Sequence, residues 1–397
     1  MSVNNRREKK NDRVIRSDDP RSREASTGSS TESSTESFQW EKCPHILCIR
    51  PDNMGDVLMT TPAFRALKES LPGRRLTLLT SSAGAAIARM IPEIDNVITF
   101  DVPWVSTQDV PNREAVVKLV ELLRRRRFQA AVIFNVQSQN PLPAALLCYM
   151  AGIPNVLGYC RENPYYLMSP WVPDPEVLCA TRHEVERQLT LVEAVGATTA
   201  NRQLSLSVPP NAVIQALESL SATGVQPHQP WLVMHTGVSE EKRRYPAEEF
   251  IKAGRRLTSE LGFQVVLTGS KSERAYTEDI RKQIGPGAVN LTGKLPLDVF
   301  CGLIAQAPVV VSNNTGPVHI ASAVGTPVVV LYAMTNPQHT PWLVPNRVLY
   351  FDVPEPLRSR NMLLQRFPGP AEPKASVDGI VKAVEELTIG TIALSGT

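Results

Sequence analysis

A carboxylate that could act as a general base follows the first apolar run of the chain. Gly55 and Asp56 come shortly after the run 45–50 and directly before a helical pattern that begins at Val57. Glycine permits a tight turn between a strand and a helix, so this pattern predicts Asp56 at a helix N-terminus that faces a ligand. An aspartate at a helix N-terminus is also a common N-cap, and the residues alone leave both roles open.

Polar residues on either side of Asp56 could contact a second substrate. Arg50 ends the first predicted strand, Asn53 lies in the loop, and Thr60 and Thr61 come one helical turn after Asp56. The threonine hydroxyls could donate to an acceptor phosphate or carboxylate, or the two residues could simply lie on the helix surface. Arg50 could contact an anion or form a salt bridge. We assign all four to acceptor binding as an expectation.

A cationic run follows a second strand end. The apolar run 231–235 leads into Thr236 and Gly237, and Lys242 and Arg243 follow shortly afterwards. A run of cations is usually a solvated surface. Here it follows small residues whose backbone amides could approach a phosphate, and this placement favours diphosphate binding.

The most informative segment is a polar loop between a predicted strand and a helix. The apolar run 309–312 ends in polar residues that include Asn314 and Thr315, and Gly316 with the proline after it begins a helical pattern. The first turn of a helix has free backbone N–H groups, so the segment predicts a cradle for a pyrophosphate. His319 in that turn could donate to a phosphate, and the polar loop favours this role over local packing.

An acidic residue follows a further strand end. The apolar run 264–268 leads into Gly269 and Ser270, and Glu273 begins a helical pattern. A carboxylate after a strand-end glycine can accept hydrogen bonds from ribose hydroxyls, as the acidic residue of dinucleotide-binding folds does. The helix dipole favours a glutamate in a first turn equally well, so both roles stay open.

Elements that could position these residues alternate between strand and helix. The first series predicts strands at 45–50, 75–80, 97–100 and 130–135 and helices at 57–70, 83–90 and 113–127. The second predicts strands at 231–235, 264–268, 309–312 and 328–332 and helices at 247–261, 273–284, 297–307 and 316–324. This alternation is typical of βαβ units and parallel sheets, whose strand-end loops share one edge where ligands bind.

Length and composition favour two domains. The chain has 397 residues, of which 42% are hydrophobic, and domains of roughly 100–200 residues make two the natural expectation. Residues 1–38 are polar and low in complexity, which predicts a disordered tail. Prolines and polar residues at 211–228 predict a linker between a Rossmann-like domain at 39–210 and another at 229–390.

Charge and cysteine usage exclude several classes of protein. The formal net charge of +3 is too small to indicate nucleic-acid binding. The six cysteines lie far apart without a C-x-x-C pair, which indicates reduced and mostly buried thiols. We find no signal peptide and no apolar run of about 18 residues, so we expect a cytoplasmic protein. The motifs G-x-G-x-x-G, Walker A, G-x-S-x-G, H-E-x-x-H and D-x-D are absent, and no visible motif requires a metal or a cofactor.

The motifs taken in order resemble glycosyltransferase family 9, the ADP-heptose:lipopolysaccharide heptosyltransferase family, from about residue 44 to about residue 345. The matching segments are 46–50, 55–56, 60–63, 71–73, 235–237, 290–294, 314–321, 325–327 and Trp342. The resemblance implies an α/β protein of the GT-B type, with two Rossmann-like domains whose parallel sheets face a central cleft. The N-terminal domain is then expected to bind the acceptor and the C-terminal domain an ADP-sugar.

The resemblance also implies roles for single residues. Asp56 matches the general base of a direct displacement that inverts the anomeric centre without a metal. The donor phosphates are expected to contact the Thr236 and Gly237 loop, a cation, and the loop of Thr315, Gly316 and His319. Lys242 and Arg243 both fit the cation, and Lys242 is assigned to the chemical step. Glu273 matches the family residue that contacts the ribose.

One departure from the family pattern leaves the donor open. Asn314 stands where the family loop usually has an aspartate, which keeps the shape of the side chain but removes its charge. The donor is therefore ADP-heptose or a similar nucleotide sugar. Two other functions are kept as alternatives: a nucleotide-sugar epimerase of GT-B shape, and a nucleotide-sugar-binding protein without catalysis.

The partners implied by the family are a nucleotide sugar and a lipopolysaccharide-core or other glycan acceptor. No nucleic acid is expected. The polar tail could contact anionic lipid headgroups, although an inert solvated extension is favoured. The expected location is therefore the cytoplasm, with peripheral contact at the cytoplasmic face of the inner membrane as an open alternative.

Overall fold

Two parallel six-stranded sheets carry the fold. The computed structural model describes residues 39–105, 111–174, 182–333, 338–353 and 372–394. Every pair of neighbouring strands in the two sheets is parallel. All candidate site residues of the sequence lie within the described ranges.

The first sheet is built from the N-terminal half of the described chain. Its strands are β1 (His45–Arg50), β2 (Arg75–Thr80), β3 (Asn96–Thr99), β4 (Ala130–Ile133), β5 (Val156–Cys160) and β6 (Trp171–Pro173). The helices of this half are α1 (Met54–Met59), α2 (Thr61–Glu69), α3 (Ser82–Ala88), α4 (Arg113–Arg126), α5 (Leu142–Met150) and α6 (Glu184–Glu193). The strand order is β3-β2-β1-β4-β5-β6.

The second sheet repeats this organisation. Its strands are β7 (Trp231–His235), β8 (Gln264–Thr268), β9 (Ala288–Asn290), β10 (Val310–Asn313), β11 (Val328–Ala333) and β12 (Asn346–Phe351). The helices are α7 (Pro210–Ser221), α8 (Ala247–Ser259), α9 (Arg274–Ile284), α10 (Leu297–Gln306), α11 (Gly316–Val324) and α12 (Val377–Leu394). The order β12-β11-β10-β7-β8-β9 matches that of the first sheet, with β7 in the place of β1 and β10 in the place of β4.

The shared strand order creates a crevice in each sheet. The order reverses between β1 and β4 and between β7 and β10, so the chain leaves these neighbouring strands in opposite directions. Ligands of open α/β sheets bind at such switch points, outside the carboxyl ends of the strands. Asp56 follows β1 and Asn314 follows β10, so both lie at the predicted kind of position.

The central strands form because their residues are apolar on both faces. Every residue of β4, β10 and β11 is buried. Continuous apolar runs of this kind are typical of parallel strands covered by helices on both sides. The predicted strands at 45–50, 75–80, 231–235 and 264–268 are confirmed with the same bounds.

The helix predicted at 57–70 is two helices, α1 and α2, which meet at Thr60. Pro62 lies in the first turn of α2 and has no N–H to donate, so it cannot continue the hydrogen bonds of α1. The Thr61 hydroxyl donates to the Leu58 carbonyl oxygen at 2.7 Å instead. The chain therefore starts a new helix directly after α1, which contains the predicted base Asp56.

The predicted linker at 211–228 is largely helical. Helix α7 covers Pro210–Ser221 and packs against α10 through the buried side chains of Ala212, Ala216 and Leu220. Strands β5, β6, β9 and β12 and helices α5, α6 and α12 were not predicted from the sequence. The exact domain boundaries remain predictions.

The described cysteines match the expectation for thiols. Cys43, Cys48, Cys148, Cys160 and Cys301 are buried and form no disulfide, and Cys179 lies outside the described residues. In the described ranges, no helix combines the length and the apolar character that crossing a bilayer requires.

Candidate active site

A cavity of about 510 Å³ lies between the carboxyl edges of the two sheets. The first half contributes Asn53, Met54, Gly55, Asp56 and Ala83 to its lining, and the second half contributes the rest. The loops after β1, β7, β8 and β10 all reach this cavity. The structure therefore brings together residues as far apart in the chain as Asn53 and His339, in agreement with the position of ligand sites at switch points.

Close packing of α1 against α11 brings the two halves of the cavity together. A Cβ atom added to Gly55 would lie 2.6 Å from Cδ2 of His319. A Cβ atom added to Gly316 would lie 2.9 Å from Sδ of Met54. A larger residue at either position would force the side chain of His319 or Met54 to shift, so the two glycines permit this close contact between the halves.

Asp56 lies in the first turn of α1 with 15% of its side chain exposed. Its Oδ1 atom is 3.4 Å from Nη2 of Arg50 and 4.0 Å from Nε2 of His339. Burial raises the pKa of Asp56, but Arg50, His339, His319 and Arg243 lower it more, and the net shift is below the ordinary value. The carboxylate is therefore ionised at neutral pH and can accept a proton.

Arg50 is a buried ion-pair partner, which is one of the two roles left open by the sequence. Its side chain is fully buried, with Nε 3.2 Å from Asp52 and Nη2 2.8 Å from Glu184, in addition to the contact with Asp56. Burial and the charges of Asp56 and Glu184 raise the pKa of Asp52 to about 6, against the opposing effect of Arg50. Arg50 thus orients three carboxylates and does not line the cavity.

The structure corrects the expected role of Thr60 and Thr61. Both are fully buried, and neither lines the cavity. The Thr60 hydroxyl donates to the Asp56 carbonyl oxygen at 2.8 Å, and the Thr61 hydroxyl accepts from the Ser205 amide at 2.9 Å. Their hydroxyls are used to shape the junction of α1 and α2, so they are not available to an acceptor. Asn53, by contrast, lines the cavity.

In the loop after β7, Thr236 and Gly237 were expected to contact a ligand, but neither lines the cavity. Thr236 is fully buried, and its carbonyl oxygen accepts from Nδ2 of Asn313 at 3.0 Å. Gly237 packs so closely that an added Cβ would lie 2.5 Å from Oε2 of Glu273. The residues of this loop that line the cavity are Val238 and Ser239. Thr236 and Gly237 therefore support the loop instead of facing the cavity.

Glu273 combines the two roles that the sequence left open. It ends a short 3-10 turn, Lys271–Glu273, and its oxygens accept from the amides of Val238 and Ser270, both at 2.9 Å. Burial raises its pKa, but these hydrogen bonds lower it more, so the carboxylate is ionised. The side chain also lines the cavity. It thus joins the loops after β7 and β8 while facing the space for a ligand.

The two candidate cations occupy different positions. Nζ of Lys242 is 2.6 Å from Oε2 of Glu240, and Lys242 does not line the cavity. Arg243 does line it, although its Nη2 atom is 2.9 Å from Oε1 of the same glutamate. Its Nε atom is buried and has no hydrogen-bond partner in the described part of the chain. Arg243 is therefore the cation that can meet a ligand.

The loop before α11 lines the cavity, and its expected role in binding a pyrophosphate stays a prediction. Asn314, Thr315, Gly316 and His319 all line it, and the backbone N–H groups of the first turn of α11 begin at Gly316. Burial lowers the pKa of His319 to about 3, so its imidazole is neutral. The Nδ1 atom of His319 is buried without a hydrogen-bond partner among the described residues. The N–H groups at the start of α11 and Nδ1 of His319 can therefore form hydrogen bonds with a polar ligand.

Sequence reasoning missed two parts of the cavity. One is His339, which follows β11 and lies beside Asp56. The other is an apolar wall made by Leu291, Leu295, Leu297 and Phe300. The motif at 290–294 pointed to the start of this wall, but its residues carry no chemistry of their own. His339 follows a strand end too, yet it belongs to no motif.

The chain resembles known proteins over most of its length. Residues 116–359 match the profile of Glycosyltransferase family 9 (heptosyltransferase). Lipopolysaccharide heptosyltransferase 2 of Escherichia coli (strain K12) is 26% identical over 306 residues, covering 75% of this chain and 84% of that protein.

Two solved structures share the fold. The glycosyl transferase family 9 structure from Veillonella parvula DSM 2008 has a TM-score of 0.72 at 20% identity, covering 89% of this chain and 99% of that one. The E. coli ADP-heptose lps heptosyltransferase II has a TM-score of 0.67 at 22% identity, covering 88% and 99%.

Two parallel sheets with a polar cavity between their carboxyl edges define an α/β protein with the two-domain GT-B fold. The chain belongs to glycosyltransferase family 9, and it is a glycosyltransferase. The family and the fold class predicted from the sequence are thereby confirmed.

Proposed function

We propose that the protein transfers a heptose or a related sugar from an ADP-sugar to a hydroxyl group of a lipopolysaccharide-core or other cell-surface glycan. The observation that carries this proposal is that Asp56 lines one cavity together with Arg243, His319 and the start of α11. A base and a set of anion-binding groups on opposite sides are what a direct displacement at a sugar carbon requires. The heptosyltransferase names of the relatives support the sugar and the acceptor class.

The proposed reaction is one displacement with inversion. The acceptor oxygen forms a bond to the anomeric carbon while its proton passes to the Asp56 carboxylate. The bond from the anomeric carbon to the diphosphate oxygen breaks, and its electron pair stays on the diphosphate. Arg243, a neutral His319 and the N–H groups at Gly316 then stabilise the developing negative charge.

The shape of the cavity supports a nucleotide donor. Leu291, Leu295, Leu297 and Phe300 offer an apolar surface for a flat base, and Glu273 lines the same cavity. Glu273 accepts from two amides and from the Ser270 hydroxyl, and a carboxylate has about four acceptor sites, so capacity remains for a ribose hydroxyl. Asn314 provides an uncharged amide near the phosphates, so it adds no repulsion to a diphosphate.

A second cavity supports binding of the acceptor by the first half. It measures about 310 Å³, lies at the carboxyl ends of β1 and β4, and is lined in part by Trp104, Asn135 and Gln139. No charged side chain lines it in the described ranges. Gln139 donates to Asp52, which pairs with Arg50, so this cavity is connected with the surroundings of Asp56. Its amides and its indole ring suit an uncharged sugar unit.

A donor screen tests the proposed function. Purified protein is expected to melt at a higher temperature with ADP-sugars than with GDP- or UDP-sugars, because a ligand that binds the native state stabilises it. Release of nucleoside diphosphate is expected only when a heptose-containing glycan acceptor is added. Epimerisation of the donor without an acceptor would favour the epimerase alternative, and binding without turnover would favour a non-catalytic protein.

We also propose peripheral contact with an anionic membrane, through one surface of the first half. Four exposed arginines at 124–127 end α4, and Arg124 donates to the carbonyl oxygen of Met150 at the end of α5. Helix α5 also contacts the 3-10 turn Tyr165–Leu167. Tyr149, Tyr165 and Tyr166 are 61%, 77% and 95% exposed on this surface. Cations beside exposed aromatic rings fit a lipid–water interface.

Sedimentation with lipid vesicles tests this contact. The protein is expected to bind vesicles that contain phosphatidylglycerol and not vesicles of phosphatidylcholine alone. The double variant R125S/R126S is expected to weaken binding on the order of 30-fold, since each surface cation contributes about 1 kcal/mol. R281S, on α9, is the matched control. Equal binding by the double variant and the wild type would contradict the assignment of this surface.

A further inference from the structure

A short segment of the second half of the chain is held against α6 of the first half. This segment, residues 338–342, follows β11 and precedes β12. The Glu184 amide donates to the carbonyl oxygen of Gln338 at 3.0 Å, and Nε2 of His183 is 2.9 Å from the carbonyl oxygen of Thr340. The backbone is therefore anchored to the N-terminus of α6 on both sides of His339.

Aromatic contacts hold the far end of the same segment. The rings of Trp342 and His183 have centroids 4.5 Å apart, and Nε1 of Trp342 donates to the carbonyl oxygen of Arg202 at 2.7 Å. The Trp342 amide donates to the Ser322 hydroxyl on α11 at 3.3 Å. Segment 338–342 thus contacts α6 and α11 together, so its position depends on how the two halves are packed.

The anchoring points the His339 side chain at the proposed base. His339 is 9% exposed, lines the cavity, and has Nε2 4.0 Å from Oδ1 of Asp56. That nitrogen is buried and has no hydrogen-bond partner in the described ranges. Leaving a buried polar atom unpaired is unfavourable, and an apolar side chain of similar size would avoid that cost. Packing alone therefore does not account for a histidine here.

Both groups that approach the Asp56 carboxylate do so from the side of Oδ1. Arg50 Nη2 is 3.4 Å away and His339 Nε2 is 4.0 Å away. No described residue donates a hydrogen bond to the other oxygen, Oδ2. One oxygen is thus placed to be held by the protein, while the other is left to receive a proton.

We propose that His339 is a positioning residue for Asp56, supplied by the second half of the protein to orient the base of the first half. The proposal rests on the glycosyltransferase function argued above. With its proton on Nε2, the neutral imidazole donates towards Oδ1 as the cavity tightens around the substrates. The Oδ2 atom then takes the proton of the acceptor hydroxyl. Because segment 338–342 contacts α6 and α11, the base is fully oriented only when the two halves are packed together.

The electrostatic surroundings of His339 fit a neutral donor. Burial lowers its pKa, and the positive charges of Arg243 and Arg50 lower it further, against the opposing effect of Asp56 and Glu184. His319 faces it at a centroid distance of 6.4 Å, and His183 also interacts with it. An N–H that donates to a carboxylate favours its ionised form, and His339 is among the groups that lower the pKa of Asp56. Loss of the ring is therefore expected to raise the pKa of the base.

Histidine variants and their pH profiles test this inference. His339→Ala is expected to lower kcat roughly tenfold to a hundredfold. This loss does not exceed the lower end of the about 10²–10⁴-fold that a general base itself contributes. The acidic limb of the kcat profile is expected to move to higher pH, because Asp56 must be deprotonated and its pKa rises. His339→Gln keeps an N–H donor. Its kcat and the pH of its acidic limb are therefore expected to lie between those of His339→Ala and the wild type. His228→Ala, at an exposed histidine outside the cavity, is the matched control.

The outcomes separate this inference from the proposed function. A His339→Ala protein with a lower melting temperature and a higher KM, but with kcat and the acidic limb unchanged, would show that the ring has only a structural role. If His339→Ala leaves kcat and its pH profile unchanged while Asp56→Asn abolishes activity, the positioning role is overturned and the transferase function is not affected. A wild-type protein that releases no nucleoside diphosphate from any donor would overturn both.

Discussion

Replacing Asp56 with asparagine is expected to lower kcat by about 10²–10⁴-fold, the usual contribution of a general base. The carboxylate is the only ionised acid of the first half that lines the main cavity in the described ranges. Asparagine keeps the shape of the side chain but cannot take the proton. Steady-state rates of nucleoside diphosphate release measure the loss.

The fold is expected to survive this substitution because Arg50 has other partners. Asp52 and Glu184 remain at 3.2 Å and 2.8 Å from the guanidinium. Because the pKa of Asp56 is lowered in the folded protein, its carboxylate stabilises the native state at neutral pH, so the melting temperature is expected to fall modestly while the fold is kept. The pKa of Asp52, raised to about 6 in part by Asp56, is expected to fall.

Asp279→Asn provides the matched control for this experiment. Asp279 is exposed on α9, where it accepts from Gln283, and it does not line the cavity. Its removal is expected to leave kcat unchanged. A folded Asp56→Asn protein with most of the wild-type rate would exclude Asp56 as the base and would remove the central assumption of the proposed reaction.

Replacing Arg243 with glutamine is expected to lower kcat by about 10²–10³-fold, comparable with the loss of one preorganised donor to a developing anion. Arg243 is the cation of the loop after β7 that lines the cavity, and its Nε atom has no partner in the described part of the protein. Glutamine keeps polar atoms but loses the charge that stabilises the leaving diphosphate. The loss is expected in kcat more than in the KM for the donor.

Lys242→Gln is the matched comparison, one residue away in the chain. Lys242 pairs with Glu240 outside the cavity, and a partly exposed ion pair of this kind contributes little. Its replacement is expected to change kcat by no more than about threefold. The reverse result, with a large loss for Lys242→Gln and a small one for Arg243→Gln, would return the cationic role to Lys242, as first assigned from the sequence.

Many of the elements around the site could be predicted from local patterns. Strands β1, β2, β7 and β8 have the predicted bounds, since unbroken apolar runs between polar loops are a strong local signal. Helix α11 also has its predicted bounds, with a proline near its start and Gly325 in the left-handed conformation at its end. Strands β6 and β9 were missed because each has only three residues.

The polar site residues were harder to assign than the elements that carry them. Thr60 and Thr61 have the right spacing for a ligand contact, but their hydroxyls are used by neighbouring backbone groups. Side chains of this type compete for local hydrogen bonds, and no periodicity in the sequence shows which partner prevails. Arg50 has the same ambiguity, which its burial among three carboxylates resolves.

The sequence by itself determined the alternation of strands and helices and the strand-end positions of Asp56 and of the loop at Asn314. These depend on neighbours in the chain, because backbone conformation and apolar periodicity are local properties. Only the tertiary structure decided that Arg243 and not Lys242 meets the cavity and that His339 lies beside Asp56. Both depend on the packing of two sheets whose contacting residues are far apart in the sequence, and such packing leaves no local pattern.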